Sequence, residues 1–210
     1  MSHGVHAVQH EVEHKMEHDE HGGGGHGDTA KMNKRVALLI AVIALFLAFS
    51  ETLGKSAQTK ALSDNVEASN LWAFFQAKTI RITTLQTMSD TRKIDAAALA
   101  DQSPAKIALT KQIDGWLKTA ARYQDEENPP EGRKQLMARA KAAEHTRDTA
   151  LAKYHHYEVA SAAFQIGIVL ASATVITGMI VLSYLAAGLG LIGIAFMAIG
   201  LFAPHAVHLM

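Results

Sequence analysis

Val159–Tyr184 reads VASAAFQIGIVLASATVITGMIVLSY, and Leu185–Ala203 continues it as LAAGLGLIGIAFMAIGLFA. No Asp, Glu, Lys or Arg occurs anywhere from Val159 to Ala203. As one helix this stretch would reach about 67 Å, roughly twice the hydrocarbon thickness of a bilayer. It must fold back. The small residues of Tyr184-Leu185-Ala186-Ala187-Gly188 place the turn there, giving spans at 154–184 and 185–204. A third apolar run, VALLIAVIALFLAFSETL, occupies Val36–Leu53. Its uninterrupted part stops at Phe49, and Glu51 lies near its end.

These runs predict an all-α membrane protein. Its three transmembrane helices are one at 31–54 and then a C-terminal hairpin. An extramembrane antiparallel helical stalk at 55–153 separates the first span from the second. A His-rich tail at 1–30 and a short tail at 205–210 complete the chain. The apolar run at Val36 starts too late for a cleavable signal, although Ser56-Ala57 imitates a cleavage site. Lys31, Lys34 and Arg35 before the first span favour a cytoplasmic N-terminus, whereas Lys55, Lys60, Arg147 and Lys153 argue for the reverse.

Composition narrows function by exclusion. The 210 residues carry 20 Lys and Arg against 20 Asp and Glu, so no net field points to nucleic acid. There is no cysteine, which removes disulfides, zinc–thiolate sites, iron–sulfur clusters and thiol nucleophiles together. No Ser–His–Asp arrangement, phosphate-binding glycine loop or dinucleotide fingerprint occurs, and Gly22–Gly25 reads as a linker. An enzyme is the least favoured class.

The middle region reads as helices near 55–90, 104–127 and 131–158. Leu71, Phe74, Phe75, Ile82, Leu85 and Met88 fall on one face at helical spacing. Ser103-Pro104 supplies an N-cap and a first-turn proline, and Asn128-Pro129-Pro130 forbids continuation. Nothing breaks helix from Lys134 to Val159, and the first span runs on into the middle region with Gly54 as a candidate kink. Two long antiparallel helices would bury only a narrow stripe, so a homo-oligomer is expected. Leu71, Phe75 and Ile82 are candidate helix-packing residues of the stalk.

Several clusters have a chemical reading beside a structural one. His6, His10, His14 and His18 recur every four residues, which on a helix forms one stripe able to share zinc, nickel or copper. The alternative is a solvating tail whose charge follows pH. Glu51 is an acid at a span, but Lys55 stands at i+4 in the favourable order for an ion pair. Tyr154 and Tyr157, around His155 and His156, fit a membrane-interface belt more readily than a metal site. Ala163, Gly167, Ala171, Thr174 and Gly178 form a stripe of small residues that lets helices approach, within the hairpin or between subunits. Gly188, Gly190, Gly193 and Gly200 act similarly in the last span. His205 and His208 are expected to be solvated.

The segments EASNLWAFFQAKTIR (Glu67–Arg81) and YHHYEVASAAFQIGIVLASATVITG (Tyr154–Gly178) are distinctive. With the His-rich head and the Gly-rich last span, they resemble the bacterial membrane proteins grouped as domain of unknown function 4337. The resemblance implies a multi-pass protein of the bacterial inner membrane, with no activity to transfer. The expected role is a membrane-anchored helical scaffold with the bilayer, other copies of itself and an unidentified protein as partners. The alternatives are a metal-responsive protein acting through the tail, and an accessory subunit of a channel or transporter.

Overall fold

The computed structural model describes residues 26–207, with side chains from residue 30. Among these residues the chain is all-helical. Its elements are α1 (His26–Ala97), α2 (Pro104–Gln124), α3 (Arg133–Thr177) and α4 (Ile180–Phe202). Three of them, α1, α3 and α4, are long and apolar enough to cross a membrane. The helices group into two compact units. One comprises Met1–Glu51 with Glu158–Ala198, the other Thr52–Tyr157 with Ile199–Met210.

The helix boundaries follow local signals. Ser103 caps α2, its side chain accepting a hydrogen bond from the Lys106 N–H at 3.2 Å, with Pro104 in the first turn. That satisfies one of the amide donors a helix start leaves unpaired. Asn128-Pro129-Pro130 falls between α2 and α3, as expected. Asp125 spans this connection, accepting from Lys134 Nζ at 2.5 Å and Gln135 Nε2 at 2.6 Å. Both long helices run on unbroken, α1 through Gly54 and α3 through Val159. Gly54, the candidate kink, lies within continuous helix. It faces α3, where a Cβ would stand 3.5 Å from Tyr157 Cβ, an ordinary packing contact.

The α3–α4 turn corrects the expected one. It falls at Gly178-Met179, and Tyr184–Gly188 is ordinary helix inside α4. Gly178 adopts φ +74°, the left-handed conformation that ends helices and that side chains with a Cβ resist. The Thr177 hydroxyl accepts from the Met179 N–H at 3.3 Å. Moving the turn shortens the second apolar segment to Val159–Thr177, about 28 Å of helix, against about 34 Å for α4. The second apolar segment now matches a hydrocarbon core of about 30 Å, where the expected Val159–Tyr184 would reach about 39 Å.

In the first unit, Val36, Ala171 and Ala186 form one buried cluster, and Ile43, Ala160 and Phe164 another. Phe46 stacks on Phe164 with centroids 6.1 Å apart. Ser161 donates to the Ser50 hydroxyl at 3.1 Å, tying α3 to α1. Leu38, Leu45, Val169, Ile176 and Leu191 point outward, all more than half exposed.

In the second unit, α1 and α3 pair antiparallel. Asn65 accepts from Arg147 at 3.4 Å, and the Trp72 indole N–H donates to Glu144 at 2.9 Å. Arg133 lies over the Phe75 ring at 5.2 Å. Ala68, Leu71, Leu136, Ala140 and Ala143 form the buried cluster between them. Farther along α1, Lys78 meets α2, at 3.3 Å from Glu126 and 4.5 Å from the centroid of Tyr123. Thus α2 and α3 succeed one another along α1, rather than α2 standing between two long partners.

Candidate functional site

The inner face of α1 is set by a strict alternation of three and four residues. Gly54, Ala57, Ala61, Asp64, Ala68, Leu71, Phe75, Lys78, Ile82, Leu85 and Ser89 are each buried or half-buried. Leu136, Ala140, Ala143, Arg147, Ala150, Tyr154 and Tyr157 repeat the pattern on α3. This is the periodicity of helices packed along a shared seam. Leu71 is 6% exposed and Ile82 5%. Phe75 is half-buried and edge-on to Trp72, with ring centroids 5.3 Å apart. Leu71, Phe75 and Ile82, expected as helix-packing residues, thus lie on the inner face of α1. The face read from spacing also divides, since Phe74 is 64% exposed and Met88 44%.

That division exposes a second face. Ser63, Val66, Asn70, Ala73, Ala77, Ile80, Thr84, Thr87, Thr91 and Ile94 again alternate by three and four. All are exposed, and none is charged. The strip extends about 46 Å along α1. Phe74 and Met88 border it, as do Glu67 and Arg81. Solvated helix faces ordinarily carry charge, and this one carries only small, polar uncharged and apolar side chains, with Val66, Ile80 and Ile94 exposed along it. Sequence reasoning merged this strip with the inner seam. Its signal was the complete absence of charge from one set of heptad positions.

The small-residue stripe largely packs within the chain. Ala171 and Thr174 are fully buried, Ala163 is 8% exposed, and a Cβ on Gly167 would stand 3.3 Å from the Ala186 carbonyl oxygen. Gly190 and Gly193 meet Ile43 and Phe164. Gly178 leaves the stripe, because it forms the turn and a Cβ there would touch nothing. Gly188 likewise faces open space. Glu51 takes a hydrogen bond from Gln165 Nε2 at 3.3 Å, on the facing helix rather than its own.

The histidines divide similarly. His6, His10, His14 and His18 lie outside the described residues. Among the described residues, no three His, Asp or Glu side chains stand together as a metal site. His156 is buried, its Nε2 3.0 Å from the Pro204 carbonyl oxygen. Gly200 makes room for this contact, since a Cβ there would meet His156 and Tyr157 at 3.0 Å. His205 is exposed, with its Nε2 3.1 Å from the Thr149 hydroxyl, and His208 lies outside the described residues.

Fold and surface together define an all-helical protein with three helices suited to a membrane and a helical pair between the first two. The family model described as domain of unknown function (DUF4337) matches residues 32–203, and the chain belongs to that family. No curated protein and no solved structure matches it.

Proposed function

We propose that the chain is a membrane-anchored helical scaffold that self-associates through the outer face of α1. Its three apolar helices would span a bacterial inner membrane, with the N-terminus cytoplasmic beside Lys31, Lys34 and Arg35. The observation that carries the reading is the uncharged strip from Ser63 to Ile94. A second copy inserted with the same polarity presents the identical strip in the same direction. Such helices meet in parallel, residue against like residue. In that pairing Ser63, Asn70, Ala77, Thr84 and Thr91 take the a positions, and Val66, Ala73, Ile80, Thr87 and Ile94 the d positions. A lone Asn at an a position fixes register in parallel helix pairs, and Asn70 fills that role. The strip is modest in apolar content. Confinement to one bilayer raises the effective concentration of copies and offsets that weakness.

Because the chain has no cysteine, single substitutions report cleanly. Val66→Cys, Ala73→Cys and Ile80→Cys should each give disulfide-linked homodimers in oxidised membranes. Lys141→Cys, exposed on α3, should not. Equal cross-linking at Lys141, or none along the strip, would remove the reading.

A second reading rests on the four-residue spacing of His6, His10, His14 and His18, which suits a divalent transition metal. Deleting residues 2–27 should then abolish stoichiometric zinc or nickel binding measured by calorimetry. Unchanged binding would end it.

A further inference from the structure

A groove of about 660 Å³ opens within the first unit where the start of α1 meets the start of α4. Lys31 and Arg35 line it on one side, and Ser183 and Tyr184 on the other. Deeper along the two helices its lining is apolar, with Val36 and Leu39 on α1 and Ala187 on α4. The chain has no Asp or Glu from Thr29 to Ser50, nor from Val159 to Ala203. Lys31 precedes Glu51 by about 30 Å of helix, the thickness of a hydrocarbon core, so the two cations stand at one boundary of the span.

We infer that this groove binds the phosphate headgroup of an anionic lipid, with an acyl chain laid along Leu39 and Ala187. Three features select that ligand. A guanidinium presents a planar fork of donors to phosphate oxygens, and an ammonium adds a point charge. The Tyr184 ring, exposed beside them, is amphipathic in the manner of residues at headgroup depth. The apolar continuation gives a lipid an advantage over free phosphate, because only a lipid fills both ends. A zwitterionic headgroup carries its own cation and gains less. The inference rests on the membrane-spanning reading above.

The test uses the full chain in neutral detergent, with bound lipid counted by native mass spectrometry. Dioleoyl phosphatidylglycerol should be retained over matched-chain phosphatidylcholine. Lys31→Gln and Arg35→Gln should each weaken retention about fivefold. Lys34→Gln, a cation on the same turn that does not line the groove, should change it little. Equal loss at Lys34 would show general surface charge and overturn the site. Displacement by equimolar inorganic phosphate would overturn the lipid assignment. Helicity by circular dichroism keeps misfolded variants out of the comparison. Alkaline carbonate extraction separates the two readings. A chain released from membranes overturns both, whereas a chain that stays but shows no lipid preference overturns only this one.

Discussion

Gly193 of α4 lies against the ring of Phe164 of α3, where a Cβ would stand 2.6 Å from Cε1. Phe164 is fully buried among Ile43 and Ala160, and has little room to yield. Gly193→Ala should therefore destabilise the helix packing by about 1–3 kcal/mol, the usual range for overpacking. Gly188→Ala, facing open space, should stay within about 0.5 kcal/mol of the parent. Unfolding of both variants in mixed micelles checks the pair. Equal effects would mean that α4 does not seat on α3 through Gly193.

The two faces of α1 should respond differently to one chemical change. Leu71→Asp places a charge in the closed seam and should unfold the helical pair, costing about 3–5 kcal/mol. Phe74→Asp, on the neighbouring exposed position, should leave helicity intact and dissociate the proposed homo-oligomer. Circular dichroism and light scattering in detergent read the two outcomes separately. Loss of helicity from Phe74→Asp would contradict the division of faces.

Lys78 is a cation inside the seam, its side chain 12% exposed and its partner Glu126 17%. Arg122 also reaches Glu126, at 3.7 Å. A cycle of Lys78→Met, Glu126→Gln and the double variant should give a coupling energy of about 1–2 kcal/mol. Lys78→Met alone should cost more than the double variant, because it leaves a largely buried carboxylate with only Arg122. Additive effects would show that the pair is incidental.

Asp125 gives the connection between α2 and α3 a pH dependence. The hydrogen bond from Lys134, then that from Gln135, holds its carboxyl below the ordinary 3.8. A carboxyl depressed on folding stabilises the folded form above its unfolded value, and that contribution is lost as pH falls through the folded one. The connection should stay closed at pH 4 and above and loosen only below 3.8. Carbon-13 titration of the Asp125 carboxyl checks this. Lys134→Met should raise the midpoint, and titration at or above 3.8 in the parent would contradict it.

Much of this was legible because it is local. Three apolar runs, the Ser103-Pro104 start and the Asn128-Pro129-Pro130 break are each written in a few consecutive residues. The turn at Gly178 was missed because Ile176 and Met179 flank it with apolar side chains. Its signal was a left-handed backbone angle, not a change in polarity. The inner seam was read only in part for a related reason. Gly54, Ala57, Ala61 and Asp64 occupy seam positions without scoring as apolar, so the alternation was visible only near Leu71. Phe74 and Phe75 then seemed to share a face, although consecutive helical residues lie about 100° apart. The outer strip is defined by missing charge, which a search for apolar periodicity does not register.

The run of Gly54, Ala57, Ala61 and Ala68 against Ala140, Ala143 and Ala150 has an evolutionary consequence. Where two backbones approach so closely, bulk is a stricter constraint than polarity. A serine or an aspartate fits there, as Asp64 shows with its carboxylate 2.5 Å from Lys60. A leucine does not fit. Drift along this stretch can trade oil for water-loving chemistry where each side chain stays small and each polar group finds a partner, as Asp64 finds Lys60. The two helices are thus free to change their sequence while remaining bound to one spacing.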